Sequence, residues 1–213
     1  MSSARDKIVI IGGGGHAKVL ISILAKSGWD IVGYTDTRDR GALLSAPYLG
    51  DDSMLPSLLD RLGRCSAIVG IGKVDASLSR AEAQHHVEAL GFDVPVIVSP
   101  NAVVNAGTGL GPGSAIFDGA VVSTGTVIGK ACIINTNSTV EHDCHLGDNV
   151  HVAPGATVSG GVTVESHSVI GAGAIVIQGI SICSGCLCGA GAVVTEDIAV
   201  PGTYVGRPAR RVE

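Results

Sequence analysis

From Ala102 to Thr203 the chain repeats a six-residue unit seventeen times in one unbroken phase, each with an apolar residue at its third place. These anchors are Val104, Leu110, Ile116, Val122, Ile128, Ile134, Val140, Leu146, Val152, Val158, Val164, Ile170, Val176, Ile182, Cys188, Val194 and Val200. At the chain's average composition about eight of them would be apolar by chance, whereas all are. A fixed period of this kind is the signature of a repeat architecture, here a parallel β-helix.

The places around each anchor carry the geometry. The first place is mostly small (Ala102, Ser114, Ala120, Cys132, Ser138, Cys144), and the sixth is mostly Gly, Asn or Asp (Gly107, Gly119, Asn137, Asn149, Gly161). A short strand with alternating side chains, followed by a turn that tolerates φ > 0, produces this pattern. Three units close a triangular coil of eighteen residues, and the seventeen units make between five and six coils. At an inter-strand spacing of about 4.8 Å these stack into a prism roughly 25 to 30 Å long. The unit size resembles the hexapeptide-repeat proteins, and the left hand of their β-helix is what that resemblance implies here.

A chain of 213 residues has room for two domains. Its net charge of −5 argues against nucleic-acid binding, which needs clustered Lys and Arg. Aromatic residues make up only 3%, a shortage that a β-helix filled by Val, Ile and Ala explains. No apolar stretch of about 18 residues is present to span a membrane, and the N-terminus lacks a signal-peptide pattern, so a cytoplasmic location is expected. Cys183 and Cys186 have ligand-like spacing, but Cys132, Cys144 and Cys186 occupy small first places and Cys188 is an anchor. The cysteines therefore read as reduced packing residues, and no metal is expected.

Before the repeats the pattern changes. Ile8 to Ile11 form an apolar run that meets Gly12-Gly13-Gly14-Gly15, and Ala17 to Lys26 follow with helical periodicity. Strands are predicted over 31–35, 67–71 and 96–98, with a helix over 78–90. The chain thus divides into an α/β, Rossmann-like domain over residues 1–98 and a β-helix with a C-terminal tail over residues 99–213. That tail concentrates Arg207, Arg210 and Arg211 in an otherwise acidic chain.

A strand, a glycine-rich turn and a helix place free N–H groups and a positive dipole end where a phosphate can sit. Gly12, Gly14 and Ala17 match the dinucleotide spacing, and Asp36 lies about twenty residues on. A domain of about 95 residues is nevertheless too short for both halves of a dinucleotide fold. Another nucleotide-bearing ligand fits better, and His16 stands at the helix start, where its phosphate or sugar would approach.

Four of the seven histidines, His142, His145, His151 and His167, fall inside the repeats. His142 occupies the fifth place of its unit, an outward corner, between Glu141 and Asp143. A carboxylate on one ring nitrogen raises the basicity of the other, as a general base requires. His151 lies half a coil on, across the prism, so the two meet only if neighbouring prisms pack about a threefold axis. The site would then be completed by oligomerisation. His145 and His167 read as surface residues, and a zinc site of the kind γ-class carbonic anhydrases build between β-helix subunits competes only weakly, because those chains carry no such N-terminal domain.

Several segments together resemble the NeuD-like family of bacterial sugar acyltransferases, which includes nucleotide-linked amino-sugar N-acetyltransferases. They are Val9 to His16, Gly33-Tyr34-Thr35-Asp36, Ile71-Gly72-Lys73, Asn135-Thr136-Asn137, Glu141-His142-Asp143, His151 to Gly155 and Val205 to Arg210. The resemblance implies that Gly14, Gly15, His16, Asp36, Thr37, Gly72 and Lys73 line a nucleotide-sugar pocket. It implies His142 as catalytic base, with Asp143 and Glu141 both open as the carboxylate that orients it. It places His151, Gly160, Ala172, Ala190, Arg207 and Arg210 at an acetyl-CoA groove between the subunits of a homotrimer.

The expected activity is acetyl transfer from acetyl-CoA to the amine of a GDP- or UDP-linked 4-amino-4,6-dideoxy sugar, with GDP-perosamine as the specific case. Acetylation of a sugar hydroxyl, as on a sialic acid, is the alternative enzyme reading. A non-catalytic nucleotide-sugar-binding trimer is the alternative of another class.

Overall fold

The computed structural model describes residues 6–212. Residues 1–5, which open both the expected first domain and the stretch read for a leader, and Glu213 at the end of the tail lie outside them. The chain separates into two compact units, residues 6–72 with 79–100 and residues 73–78 with 101–212. The short segment 73–78 thus belongs with the repeats although the sequence order sets it inside the α/β part.

In the first unit β1 (Lys7–Ile11) is the middle of a three-stranded parallel sheet, flanked by β2 (Asp30–Thr35) and β3 (Ser66–Val69). A central parallel strand is covered on both faces, which is why Ile8, Val9, Ile10 and Ile11 form a continuous apolar run instead of alternating. Helix α1 (Gly15–Lys26) makes the crossover from β1 to β2 and buries Ala17, Leu20, Ile21, Ile23 and Leu24. Helix α2 (Leu55–Leu62) precedes β3, and α3 (Ser79–Ala89) follows it.

These elements match the expected strands and helices to within two residues, with two differences. Strand β4 (Ile97–Val98) stands outside the three-stranded sheet. Helix α2 falls in a stretch the sequence reading leaves unassigned, because it is eight residues long, begins at Leu55-Pro56 and buries only Leu55 and Leu58.

The second unit is a three-faced solenoid. Its first face carries the strands Val103–Val104, Val121–Val122, Thr139–Val140, Thr157–Val158, Ile175–Val176 and Val193–Val194. The second runs from Gly109–Leu110 to Ser181–Ile182, and on the third Ala115–Ile116, Ile133–Ile134, His151–Val152 and Val169–Ile170 lead to Cys186–Cys188. Parallel pairs join residues eighteen apart, such as Thr139 with Thr157 and Ile133 with His151. All fourteen anchors from Ile116 to Val194 are at most 2% exposed. At every corner from Gly107 to Gly191 the sixth-place residue has φ between 54° and 79°. Ten of those fifteen residues are glycine; Ala131, Asn137, Asp143, Asn149 and His167 adopt the same conformation without that freedom.

The cysteines pack as expected. Burial pushes the Cys188 thiol up to about 12, and burial together with the neighbouring Cys183 thiol does the same for Cys186. Both are thereby held in the thiol form, as buried packing residues are. Among the described residues no helix is long and apolar enough to cross a membrane.

The seventeenth unit departs from the repeat. Cys188 pairs with Tyr204 and Ile182 with Ile198, in both cases sixteen residues on, so the register shortens by two after Val194. Asp197, at the sixth place of the sixteenth unit, accepts a hydrogen bond from the Ser181 N–H (2.8 Å), and the anchor Val200 is exposed. An antiparallel pair, Gly202–Val205 with Arg210–Val212, then ends the solenoid, with Ala209 and Tyr204 packed against its core. Ile134→Ala should therefore cost about 2–5 kcal/mol in urea unfolding, whereas Val200→Ala should change stability by less than about 0.5 kcal/mol. Equal costs would place Val200 in the core after all.

Candidate active site

The corner after the first face carries His142 at the fifth place and Asp143, with φ 58°, at the sixth. Its backbone is clamped from both sides, by Asp143 N–H to the Thr124 carbonyl (3.1 Å) and Gly161 N–H to the His142 carbonyl (2.9 Å). His142 Nδ1 lies 2.9 Å from Asp143 Oδ2. An ionised carboxylate only accepts, so the hydrogen of a neutral ring sits on Nδ1 and the lone pair on Nε2. The two side chains are 60% and 73% exposed, open to an incoming substrate. Glu141, the other candidate, takes part here through its backbone: its N–H donates to the Val158 carbonyl and its carbonyl accepts from Thr126 Oγ1.

Two glycines shape this pair. Gly160 stands one coil above His142, and a Cβ there would lie 2.7 Å from both Cε1 and Nε2 of the imidazole. Gly125 stands one coil below Asp143, where a Cβ would meet Oδ1. The ring thus lies against bare backbone. Gly160, expected at the acetyl-CoA groove, has a steric role beneath the histidine that spacing could have revealed, since the two are eighteen residues apart.

Ala172 and Ala190 stack one coil apart on the corner after the third face, where Gly191 N–H donates to the Ala172 carbonyl (2.8 Å). Arg207 joins them, donating from Nε to the Gly191 carbonyl (2.9 Å). Arg210 goes elsewhere: it pairs with Glu196 (3.5 Å), which lies on the His142 corner three coils, or about 14 Å, further along. The expected groove residues therefore divide between the two corners that flank the first face.

His151, expected at the acetyl-CoA groove, is held by bonds within the chain. It occupies an outward strand place yet is only 7% exposed. Nδ1 lies 2.6 Å from the Lys73 carbonyl and Nε2 3.0 Å from Asn135 Nδ2. Asn135 Oδ1 is taken by the Thr136 N–H (2.8 Å), so its amide donates to Nε2 and the ring hydrogen on Nδ1 goes to Lys73. Both nitrogens are committed within the chain. Asn149 donates to the Ser77 carbonyl (3.2 Å) beside this histidine, so the segment 73–78 is strapped to the solenoid by side chains. Lys73, expected at the nucleotide-sugar pocket, is grouped with the second unit, where its buried ammonium donates to the Ser77 carbonyl (2.8 Å).

The remaining pocket residues cluster in the first unit. Gly12 has φ 97° and donates to the Thr35 carbonyl (2.7 Å), while Gly13 leaves no room for a Cβ against the Tyr34 ring. Gly14 and Gly15 differ: a Cβ on either would meet nothing within 4 Å. The first two glycines serve packing, and the last two leave space at the start of α1 for something the chain does not itself supply.

Asp36 accepts from the N–H of Gly13 (2.8 Å) and of Arg38 (3.0 Å) and pairs with Arg40 (3.3 Å). Burial raises its carboxyl, but those hydrogen bonds outweigh burial and leave it below the usual range. Thr37 donates to the same carboxylate (3.3 Å), and Gly72 lies against His16, 3.5 Å from a Cβ at Gly72 to His16 Cβ. Sequence reasoning missed Arg80, which is 1% exposed and reaches into this cluster. A cation in the first turn of a helix is the signal that could have marked it.

With this geometry in view, known proteins give a consistent answer. The family of PglD N-terminal domains matches residues 7–82, and the six-repeat bacterial transferase hexapeptide family matches residues 125–160. The acetyltransferase domain of PglB from Neisseria gonorrhoeae superposes with a TM-score of 0.91 at 35% identity, covering 98% of this chain and 100% of that one. PerB from Caulobacter crescentus, solved with CoA and GDP-perosamine, gives 0.92 at 35% identity with both chains fully covered. The chain belongs to the NeuD-like family of sugar acyltransferases. Its solenoid is accordingly the left-handed parallel β-helix of hexapeptide-repeat transferases. WeeI from Acinetobacter baumannii is a more distant match, with a TM-score of 0.84 at 26% identity over 96% of this chain and 99% of that one. The Caulobacter perosamine N-acetyltransferase has also been solved with a histidine replaced by asparagine or alanine. No curated protein matches the sequence.

Gly160 has an ordinary φ, so Gly160→Ala disturbs the ring and not the turn. That variant should unfold at the wild-type urea midpoint, within error, while losing at least tenfold in kcat because the histidine is displaced. Unchanged turnover would show that the ring does not need its glycine floor.

Proposed function

We propose that the protein transfers the acetyl group of acetyl-CoA to the amine of a nucleotide-linked 4-amino-4,6-dideoxy sugar, without a covalent enzyme intermediate. The observation that carries this reading is the exposed His142–Asp143 pair, in which a neutral ring donating from Nδ1 keeps the Nε2 lone pair as a base. The amine lone pair attacks the thioester carbonyl, and the amine proton passes to His142 Nε2. The C–S bond then breaks, and the imidazolium returns the proton to the departing thiolate as CoA–SH. Asp143 holds the hydrogen on Nδ1 throughout, and a backbone N–H of the corner turns stabilises the oxyanion. That the family member from Caulobacter binds CoA and GDP-perosamine supports this substrate class, with Gly14, Gly15, His16, Asp36, Thr37 and Gly72 as the nucleotide-sugar contacts.

A homotrimer completes the site in this reading. The six outward residues of the first face, Val103, Val121, Thr139, Thr157, Ile175 and Val193, are all β-branched and uncharged, and Val103 and Ile175 are exposed. A surface of that composition suits burial against another copy of the chain. Packed about a threefold axis, it would bring the His142 corner of one copy toward the Ala172–Ala190 corner of the next, with Arg210 and Arg207 on opposite walls of an acetyl-CoA groove.

Two experiments test the proposal. GDP- and UDP-linked 4-amino sugars should release thiol from acetyl-CoA, and His142→Asn should lower kcat by about 10²–10⁴ with KM nearly unchanged. Near-normal turnover in that variant would remove His142 as base, and release only with sugar alcohols would move the acceptor from nitrogen to oxygen. Sedimentation should give three copies for the wild type and one for Ile175→Glu, with activity lost in step. An active monomer would refute the shared site.

A further inference from the structure

Arg80 is the largest fully buried side chain among the described residues. It is the second residue of α3, at the helix end where a cation is disfavoured, and a buried guanidinium is costly unless hydrogen-bonded. The two Nη1 hydrogens serve the carbonyls of Val69 (2.6 Å) and Ile71 (2.9 Å), and one of them is shared with His16 Nε2 at 3.4 Å. Those carbonyls mark the C-terminal end of β3, the end of an open α/β sheet at which ligands bind. A guanidinium has no lone pair to offer, so His16 Nε2 is the acceptor and its hydrogen resides on Nδ1. Arg80 thus ties together three parts of the glycine-loop cluster: the end of β3, the turn leading to Gly72, and the histidine beside Gly14 and Gly15.

We propose that Arg80 is a positioning residue of the glycine-loop pocket: it holds His16 as the Nδ1–H tautomer in one ring orientation, so that the ligand meets an imidazole with fixed donor and acceptor edges. This rests on the reading of that loop as the nucleotide-sugar pocket. Neither lysine nor a neutral side chain reproduces the arrangement, because two carbonyls and a ring nitrogen are served by one planar guanidinium.

The test uses the full chain. Long-range ¹H–¹⁵N correlations on histidine-labelled, ligand-free protein should show His16 protonated at Nδ1 and bare at Nε2, and Arg80→Met should convert it to a tautomer mixture. A wild-type His16 protonated at Nε2 overturns the proposal without need of any variant, which covers the case that Arg80→Met fails to fold. Titration with GDP and with UDP, used as nucleoside diphosphate probes, should show binding weakened about tenfold by Arg80→Met and by His16→Ala. The double variant should bind no worse than the weaker single one. Multiplying losses would mean that Arg80 acts independently of His16 and sink the proposal. Arg80→Lys, which keeps a donor, should recover the Nε2-acceptor state in part; no recovery beside an intact fold would count against a role through hydrogen bonding. If the wild type binds neither probe, the nucleotide-pocket reading falls on that ground alone, while the tautomer still reports whether Arg80 sets His16.

Discussion

Each side chain on the solenoid sits directly over the one eighteen residues earlier, and that stacking is held by a corner residue with positive φ and by inter-coil hydrogen bonds. Asp143 adopts this conformation without being glycine, at a cost of order 1–3 kcal/mol that only over-determined surroundings tolerate. The hydrogen bonds to Thr124 and from Gly161 supply that constraint. The same rigidity that packs the anchors therefore aims a carboxylate at the neighbouring imidazole. It also explains why Gly125 and Gly160 matter, since in a strictly stacked column the residue one coil away decides how much room a functional side chain has.

The α/β unit follows a different logic, in which a short sheet exposes the ends of its strands. Asp36 and Arg80 are both ionic groups drawn into the loops at those ends, and each satisfies main-chain groups: Asp36 takes the N–H of Gly13, and Arg80 the carbonyls of Val69 and Ile71. One loop N–H is thereby unavailable to an anionic ligand, and the Asp36 carboxylate beside it would repel a phosphate. Space remains at Gly14 and Gly15 instead.

Much of the fold was legible because the repeat is a local property. Period, anchor, small first place and turn residue all recur within six positions, so composition statistics alone separate this pattern from chance. The end of the repeat was not legible: Val200 is as apolar as the other anchors, and only the closing strand pair and Asp197 shorten the register before it. Helix α2 escaped for the opposite reason, since eight residues with two buried leucines carry too little periodicity to read.

For the site, sequence determined which residues share a corner, because phase within a unit decides inward or outward. His142, Asp143 and the distance of one coil to Gly160 all follow from counting. What a side chain touches across large sequence separation was decided only by tertiary structure. His151 occupies an outward place by phase, yet residues 73–78, brought back from a distant point in the chain, cover it and engage both its nitrogens. Which of two carboxylates adjacent in sequence meets His142 also depended on the fold, since the corner turn brings Asp143 to Nδ1. Arg80 belongs to the same class: a cation in the first turn of a helix is visible in the sequence as an anomaly, but its burial and its partners appear only where β3, the glycine loop and α3 converge.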